Sequence, residues 1–375
     1  MCTFKPIIQV KELGAQLTSI EIFFDESIDF SGIDINTFSV FVSSENTQNK
    51  PVNIKIIDVK RIDSKSILLT LIDKKDIKAL KLLMLIEDPE KHIFTQQICN
   101  LKCELIQNKA IKKLNTGLYS IETKFKQQEI KYEEIERFEQ YKYKDINYSL
   151  YKDVDENKLH ALIIWLHGAG EGGSNASNIM ADKGAVTYLS EKAQKLFDEP
   201  YILAPQCPTY WVDNFKMNEH LVLHRQRDYT ADLIELITSI LDKYPNIDRR
   251  RIYLAGASMG GYQALRVLAQ APNLFAGAII SCPAKVPKDE FLQKIKKANI
   301  PIWFLHCKKD KVVPVYNTEY IYKIFDNDKI KVTYYENVLV GDKEINPHCV
   351  FTYMYEDKPY DNGESLFSWL SKQEK

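Results

Sequence analysis

The sequence predicts a two-part chain. A small all-β sandwich occupies residues 1–110, and a doubly wound, mostly parallel α/β sheet fills 111–375, with 111–134 linker-like. Three observations predict this. From residue 160 onward, nearly continuous apolar runs recur at 160–167, 201–204, 251–255, 276–280, 302–305 and 330–335, as they do in strands buried on both faces. Helical patterns lie between them, clearest at 229–241, where apolar residues fall at i, i+3, i+4 and i+7. Before about residue 106, short β-prone runs follow one another with only polar punctuation between them.

Those early runs are 17–24, 38–42, 53–59, 66–72 and 82–86. Ser31-Gly32, Ser43-Ser44-Glu45-Asn46 and Asp73-Lys74-Lys75-Asp76 break them up. Strands at that spacing argue a small sandwich. This part contains no Ser/His/Asp or metal constellation, so it reads as a structural or binding module. Residues 107–134 are rich in Lys, Gln and Glu with little periodicity. Residues 135–143 and 146–151 then read as a hairpin around Lys144-Asp145.

The chain has 375 residues, and 45% of them are hydrophobic, enough for a sizeable core. With 50 basic and 51 acidic residues the net charge is −1, which argues against a nucleic-acid partner. The seven cysteines (2, 99, 103, 207, 282, 307 and 349) are odd in number and follow no framework spacing. A reducing, cytoplasmic compartment is the simplest expectation. The alternative is an exported, lipid-anchored protein whose signal peptide was removed before Cys2. No apolar run reaches transmembrane length.

The chemistry centres on Gly256-Ala257-Ser258-Met259-Gly260-Gly261. A Gly-x-Ser-x-Gly pattern arises by chance in roughly one chain in ten of this length. Here an apolar, partly β-branched run precedes it and a helical pattern follows, the context of a nucleophile elbow. The turn is tight, so its flanking residues must be small. Ser258 is then held above the sheet edge at a helix N-terminus.

A serine hydroxyl needs a base, and the base needs a carboxylate to orient it. In this arrangement the chain order is Ser, acid, His. Only His306 and His348 follow Ser258. His306 sits at a strand end, before any plausible acid, which leaves His348 as the base. Asp310 lies just past the 302–306 strand, where the acid must sit, with Asp342 and Glu344 as alternatives. The loop His167-Gly168-Ala169-Gly170-Glu171-Gly172-Gly173 follows the first buried strand. Its small residues let backbone N–H groups approach a developing oxyanion. The predicted donors are Met259 and Ala169. Gly168 is the alternative donor and a pocket-lining residue. The loop lacks the Lys-Ser/Thr of a phosphate-binding loop. His306-Cys307 and His348-Cys349 match no usual zinc spacing, so no metal and no cofactor is expected.

Several motifs together resemble the α/β-hydrolase esterases related to polyhydroxybutyrate depolymerases. They are the His-Gly-Ala-Gly-Glu loop, Ala204-Pro205-Gln206-Cys207-Pro208 followed by Trp211, residues 248–261, and Asp310-x-x-Val313-Pro314. The segment 21–41 is similar to the immunoglobulin-like domain that precedes the hydrolase in some members. The resemblance implies a Ser258-Asp310-His348 triad, carboxylesterase activity on short or medium acyl esters, and Gln206 and Trp211 lining the pocket. The substrate would be a small-molecule or polymer ester, and the first domain a route to homo-oligomers or polymer binding. Two departures bear on the pocket: many members have Arg where Gly172 stands, and Trp soon after the histidine where this chain has Cys349-Val350-Phe351. A prolyl-oligopeptidase-like peptidase is one alternative, but about 110 residues are too few for a β-propeller. A feruloyl-type or polymer esterase is another. Met217, Leu221 and Leu223 are either lid or core.

Overall fold

The apolar runs become an eight-stranded sheet. In the computed structural model, which describes residues 1–73, 77–88, 93–212, 216–218, 221–222, 227–361 and 363–375 (backbone alone at 88, 93, 216–218 and 221–222), the chain divides into two compact units. The second unit, Leu85–Gln96 with Arg137–Lys375, holds this sheet. Its strands are β1 (Glu139–Tyr143), β2 (Ile146–Tyr151), β3 (His160–Leu166), β4 (Tyr201–Gln206), β5 (Ile247–Ala257), β6 (Gly277–Ser281), β7 (Ile302–Cys307) and β8 (Ile330–Tyr335). Their spatial order is β1-β2-β4-β3-β5-β6-β7-β8. β1 pairs antiparallel with β2, and β2 antiparallel with β4; β4, β3 and β5 to β8 run parallel. The hairpin expected from residue 135 begins as a strand only at Glu139, because Ile135–Arg137 forms a 3-10 turn.

All seven residues of β3 are buried, which is why its sequence shows no alternation. The two faces still separate by parity. Leu162, Ile164 and Leu166 of β3, with Ile252 and Leu254 of β5, join one core cluster. That cluster also takes Leu233 and Ile237 of α2 (Thr230–Lys243, after α1, Glu191–Phe197), and Leu265 and Leu268 of α3 (Met259–Gln270). It is completed by Leu292 of α4 (Asp289–Ala298) and Ile321 of α5 (Tyr316–Phe325). The opposite face is aromatic. Phe197 of α1 meets Tyr253 at 5.5 Å, and Trp303 meets Trp369 of α6 (Leu366–Ser371) edge-on at 5.3 Å. With helices on both faces, the sheet is doubly wound, as expected.

β3 is followed in the chain by its neighbour on one side, β4, and flanked on the other by β5. The winding reverses there, and ligands of such sheets bind at the carboxyl ends of the strands beside the reversal. The loop after β3 and the turn after β5 both emerge at that point. Leu166 pairs with Gly256, so the two segments leave the sheet side by side. Gly260, in the first turn of α3, lies against the β3 exit. A Cβ there would stand 2.0 Å from the Leu166 carbonyl oxygen and 2.7 Å from that of His167. Neither backbone can move without breaking the sheet or the helix. Gly260→Ala is therefore expected to cost about 3 kcal/mol or more, roughly 6–12 °C in Tm for a unit of this size. Scanning calorimetry checks this, and an unchanged Tm would mean that α3 can lift off the strand end.

The first unit is Met1–Met84 with Gln97–Glu136. Its larger sheet has Thr3–Lys11, Gly14–Phe23, Ser66–Leu71 and Ile56–Arg61 in antiparallel sequence. A second sheet has Val52–Ile54, Phe38–Ser43 and Lys102–Gln107. The strand Thr3–Lys11 lies outside the runs read from the sequence, where Pro6 and three lysines or glutamines mask its pattern. Residues 111–134 differ from a free linker: Lys126 and Gln127, then Lys131 and Tyr132, pair in parallel with that first strand. Conversely, Leu85–Gln96 falls among the first unit's strands in sequence and belongs to the second unit. The cysteines are free thiols, and Cys2 is buried with its Sγ 3.8 Å from Asp25. Among the described residues no helix is long and apolar enough to cross a membrane. Of the segment read as lid or core, residues 219, 220 and 223 and all side chains lie outside the described residues.

Candidate active site

Ser258 stands between β5 and α3 at φ 54° and ψ −116°, a left-handed conformation costing a non-glycine residue about 1–2 kcal/mol. The neighbours hold it there. Its N–H donates to the Ser281 carbonyl at 3.0 Å, and its carbonyl accepts from Tyr262 and Ala284 at 3.0 and 2.9 Å. Gly256 is required by the same turn, since a Cβ would lie 2.7 Å from the Gly260 carbonyl oxygen. The Ser258 hydroxyl is thus presented at the N-terminus of a 12-residue helix.

His348 arrives from the turn Pro347–Phe351, whose first N–H groups are capped by Asn346; the Asn346 side chain accepts from His348 N at 3.0 Å. The ring's Nε2 lies 3.1 Å from Ser258 Oγ and its Nδ1 2.8 Å from Asp310 Oδ2. Asp310 follows β7, and its other oxygen, Oδ1, accepts from the N–H groups of Val312 and Val313 at 2.8 and 2.9 Å. Burial alone would push this carboxyl up. The approach of His306 Nε2 (3.5 Å), the hydrogen bond with His348 and the Val313 N–H outweigh it and hold the group well below the usual carboxylate range. His306, fully buried, donates from Nε2 to the Val313 carbonyl and accepts at Nδ1 from Thr318. It braces the Asp310 turn. The alternative acids Asp342 and Glu344 are exposed on the hairpin of Val338–Val340 and Lys343–Ile345.

For His348, burial favours the neutral ring, but Cys282 and Asp310 outweigh it and raise the pKa to about 10.

The loop after β3 lies against this cluster. The position a Cβ would take on Gly168 is 3.8 Å from the Ala257 carbonyl oxygen. Among the described residues neither the Ala169 nor the Met259 N–H donates to a protein acceptor, and Met259 opens a helix. Gln206 and Trp211, expected to line the pocket, both use their polar atoms to brace this loop. Gln206 donates from Nε2 to the Glu171 carbonyl (2.8 Å) and to Ser177 Oγ (2.9 Å), and accepts from the Ala176 N–H (3.1 Å). Trp211 donates to the His167 carbonyl at 3.1 Å, and its ring lies 4.7 Å from the imidazole. Burial lowers the pKa of His167 to about 4, which keeps it neutral; Nδ1 donates to the Gly168 carbonyl and Nε2 accepts from the Cys207 N–H. Gly172 has a steric reason: a Cβ there would sit 2.0 Å from the Thr209 carbonyl oxygen.

Three features escaped the sequence. The Glu171 carboxyl turns in toward Gly168 within the loop, and burial and then Asp182 push it well up, while burial pushes Asp182 up to about 6. Leu85 and Phe94 of the Leu85–Gln96 segment border the loop, 3.5 and 3.6 Å from where a Cβ on Gly170 would lie. Asn175 donates to the Gln96 carbonyl at 2.8 Å and anchors that segment. Cys282, after β6, approaches His348, and with Asp310 these form a convergent group of metal-ligating side chains. Each is brought in by a different segment, so no local spacing announces it.

Residues 153–338 match the family described as phospholipase/carboxylesterase. No curated protein matches the chain. Among solved structures the chain is similar to a thermostable esterase, with 26% identity, a TM-score of 0.84 and all of both chains covered. Two more distant likenesses are a butyrate-bound esterase from Thermogutta terrifontis and a sugar hydrolase from Lactococcus lactis. The first has 14% identity, 59% of this chain and 91% of that one, and a TM-score of 0.39. The second has 14% identity, 63% and 97%, and a TM-score of 0.42.

Proposed function

We propose that this carboxylic ester hydrolase of the α/β-hydrolase fold cleaves short- to medium-chain acyl esters through an acyl-enzyme on Ser258. The observation that carries the reading is the continuous relay from Ser258 Oγ to His348 (3.1 Å) to Asp310 (2.8 Å). Ser258 Oγ attacks the ester carbonyl while His348 Nε2 takes its proton. Asp310 holds the Nδ1–H tautomer and stabilises the imidazolium. The oxyanion is met by the Met259 and Ala169 N–H groups. His348 then protonates the leaving alcohol, and water repeats the sequence to free the acid. We assign Gln206, Trp211 and His167 to positioning the oxyanion loop.

Hydrolysis of p-nitrophenyl acetate, butyrate and octanoate by the wild type tests the reading, and no turnover on any of the three would overturn it. Leu85 and Phe94 border the loop, so we assign them to the acyl side of the pocket. Leu85→Ala and Phe94→Ala are expected to raise KM for octanoate over acetate by roughly 10-fold, about the worth of a lost apolar contact. Equal change for both esters would remove them from the pocket. The first unit, with its mostly antiparallel strand pairing, is assigned to the immunoglobulin-like class, in keeping with a relation to the polyhydroxybutyrate depolymerases.

A further inference from the structure

We propose that Cys282, Asp310 and His348 form a site for a soft or borderline divalent cation, such as Zn²⁺ or Cd²⁺, whose occupation switches the hydrolase off. The inference rests on the reading of His348 as the base. The ligand atoms of the three residues all lie within 4.8 Å of one another. Cys282 and Asp310 are fully buried at the side chain or nearly so, while His348 keeps 15% of its side chain exposed and gives a cation its way in. Cys282 is held at φ 37°, in the left-handed region that few non-glycine residues adopt. Its Sγ lies 3.7 Å from the His348 carbonyl oxygen.

The donor set fits the ion. A thiolate, an imidazole and a carboxylate with one open position are a usual zinc complement, with Zn–S near 2.3 Å and Zn–N and Zn–O near 2.1 Å. Tetrahedral ligands at those lengths stand about 3.5 Å apart. The present 2.8 Å between His348 Nδ1 and Asp310 Oδ2 has to open slightly, and Sγ to close in, which side-chain rotations supply. A thiolate and a carboxylate balance the dication's charge. The thiol selects against Mg²⁺ and Ca²⁺, which prefer all-oxygen sites.

Coordination disables the base through its tautomer. In the reactive, neutral form of the free enzyme Nδ1 carries the proton and Nε2 has the lone pair facing Ser258. When the cation takes Nδ1, the neutral ring carries its proton on Nε2, and the lone pair that Ser258 needs is gone. The thiol proton leaves to solvent on binding. No electron is transferred, and a chelator reverses the process.

The test titrates Cd²⁺ into the purified full chain in thiol-free, non-chelating buffer. It reads p-nitrophenyl butyrate hydrolysis alongside the ultraviolet absorbance of a cadmium–thiolate bond. Wild-type activity should fall and return with EDTA, while Mg²⁺ leaves it unchanged. Cys282→Ser, each variant measured against its own metal-free rate, should need at least ~10-fold more Cd²⁺ for half-inhibition. It should also lose one thiolate's worth of absorbance. Cys282→Ala repeats the comparison should serine disturb the fold. Ser258→Ala should keep the wild-type absorbance change although it hydrolyses nothing. Equal inhibition or equal absorbance in wild type and both Cys282 variants would overturn the site. A Cys282-dependent signal in a wild type without ester turnover would support it and sink the esterase reading instead.

Discussion

Ser258→Ala is expected to reduce kcat on p-nitrophenyl butyrate by on the order of 10⁵-fold, while Tm stays within a few degrees of wild type. The two halves of the prediction have separate causes. Alanine at φ 54° bears the same left-handed cost as serine, and the backbone bonds to Ser281, Tyr262 and Ala284 do not involve the side chain. The fold therefore has no reason to notice. On the proposed mechanism the chemistry loses its nucleophile outright: Ser281 Oγ, the next along the sheet, is buried and donates to Cys282 Sγ. What remains is the oxyanion donors acting on a water molecule. Steady-state kinetics with a stability scan on the same sample decides the matter. A variant with wild-type rates would remove Ser258 from the reaction, whereas a collapsed Tm would make the lost activity uninformative about the role.

How much of this was legible in the sequence follows the range of the interactions. The elbow is written in six consecutive residues because its constraints are local: Gly256 and Gly260 each face a backbone oxygen within 2.7 Å of a would-be Cβ. The doubly wound sheet is legible because strands buried on both faces must be apolar throughout, as β3 is. His348 and Asp310 were reachable through chain order, a topological rule rather than a spacing. What stayed hidden is set by contacts between distant segments. Gln206 reads as a pocket residue until its amide is seen to be used up by Glu171, Ala176 and Ser177. Cys282 carries no signal until β6 and the 347–351 turn are brought together. The same holds for Leu85–Gln96, whose sequence neighbours are the first unit's strands, and for Thr3–Lys11, where a proline and scattered polar residues dilute the strand pattern.

Asp310→Asn should leave the geometry standing and still cost about 10⁴-fold in kcat, because it changes which imidazole nitrogen holds the proton. The new amide can keep its oxygen on the Val312 and Val313 N–H groups, which anchor the present Asp310 Oδ1 at 2.8 and 2.9 Å. That choice turns the NH₂ toward His348 Nδ1, where Asp310 Oδ2 now accepts at 2.8 Å. A donor facing Nδ1 stabilises the tautomer with the proton on Nε2, aimed at Ser258, and the base is lost. The pH profile supplies a second, independent signature. His348 must be neutral to accept a proton, so kcat/KM rises as pH passes its pKa. Burial acts to lower that pKa; the influence of Cys282 and Asp310 raises it to about 10. Removing the Asp310 charge leaves burial less opposed, so the rising limb should move to lower pH in Asp310→Asn even as its plateau falls. A purely structural aspartate would lower the plateau through unfolding and leave the midpoint in place. If instead the variant keeps full activity, the orienting carboxylate has to come from Asp342 or Glu344. Both are solvent-exposed on their hairpin, where water would screen the charge that a buried imidazolium needs beside it.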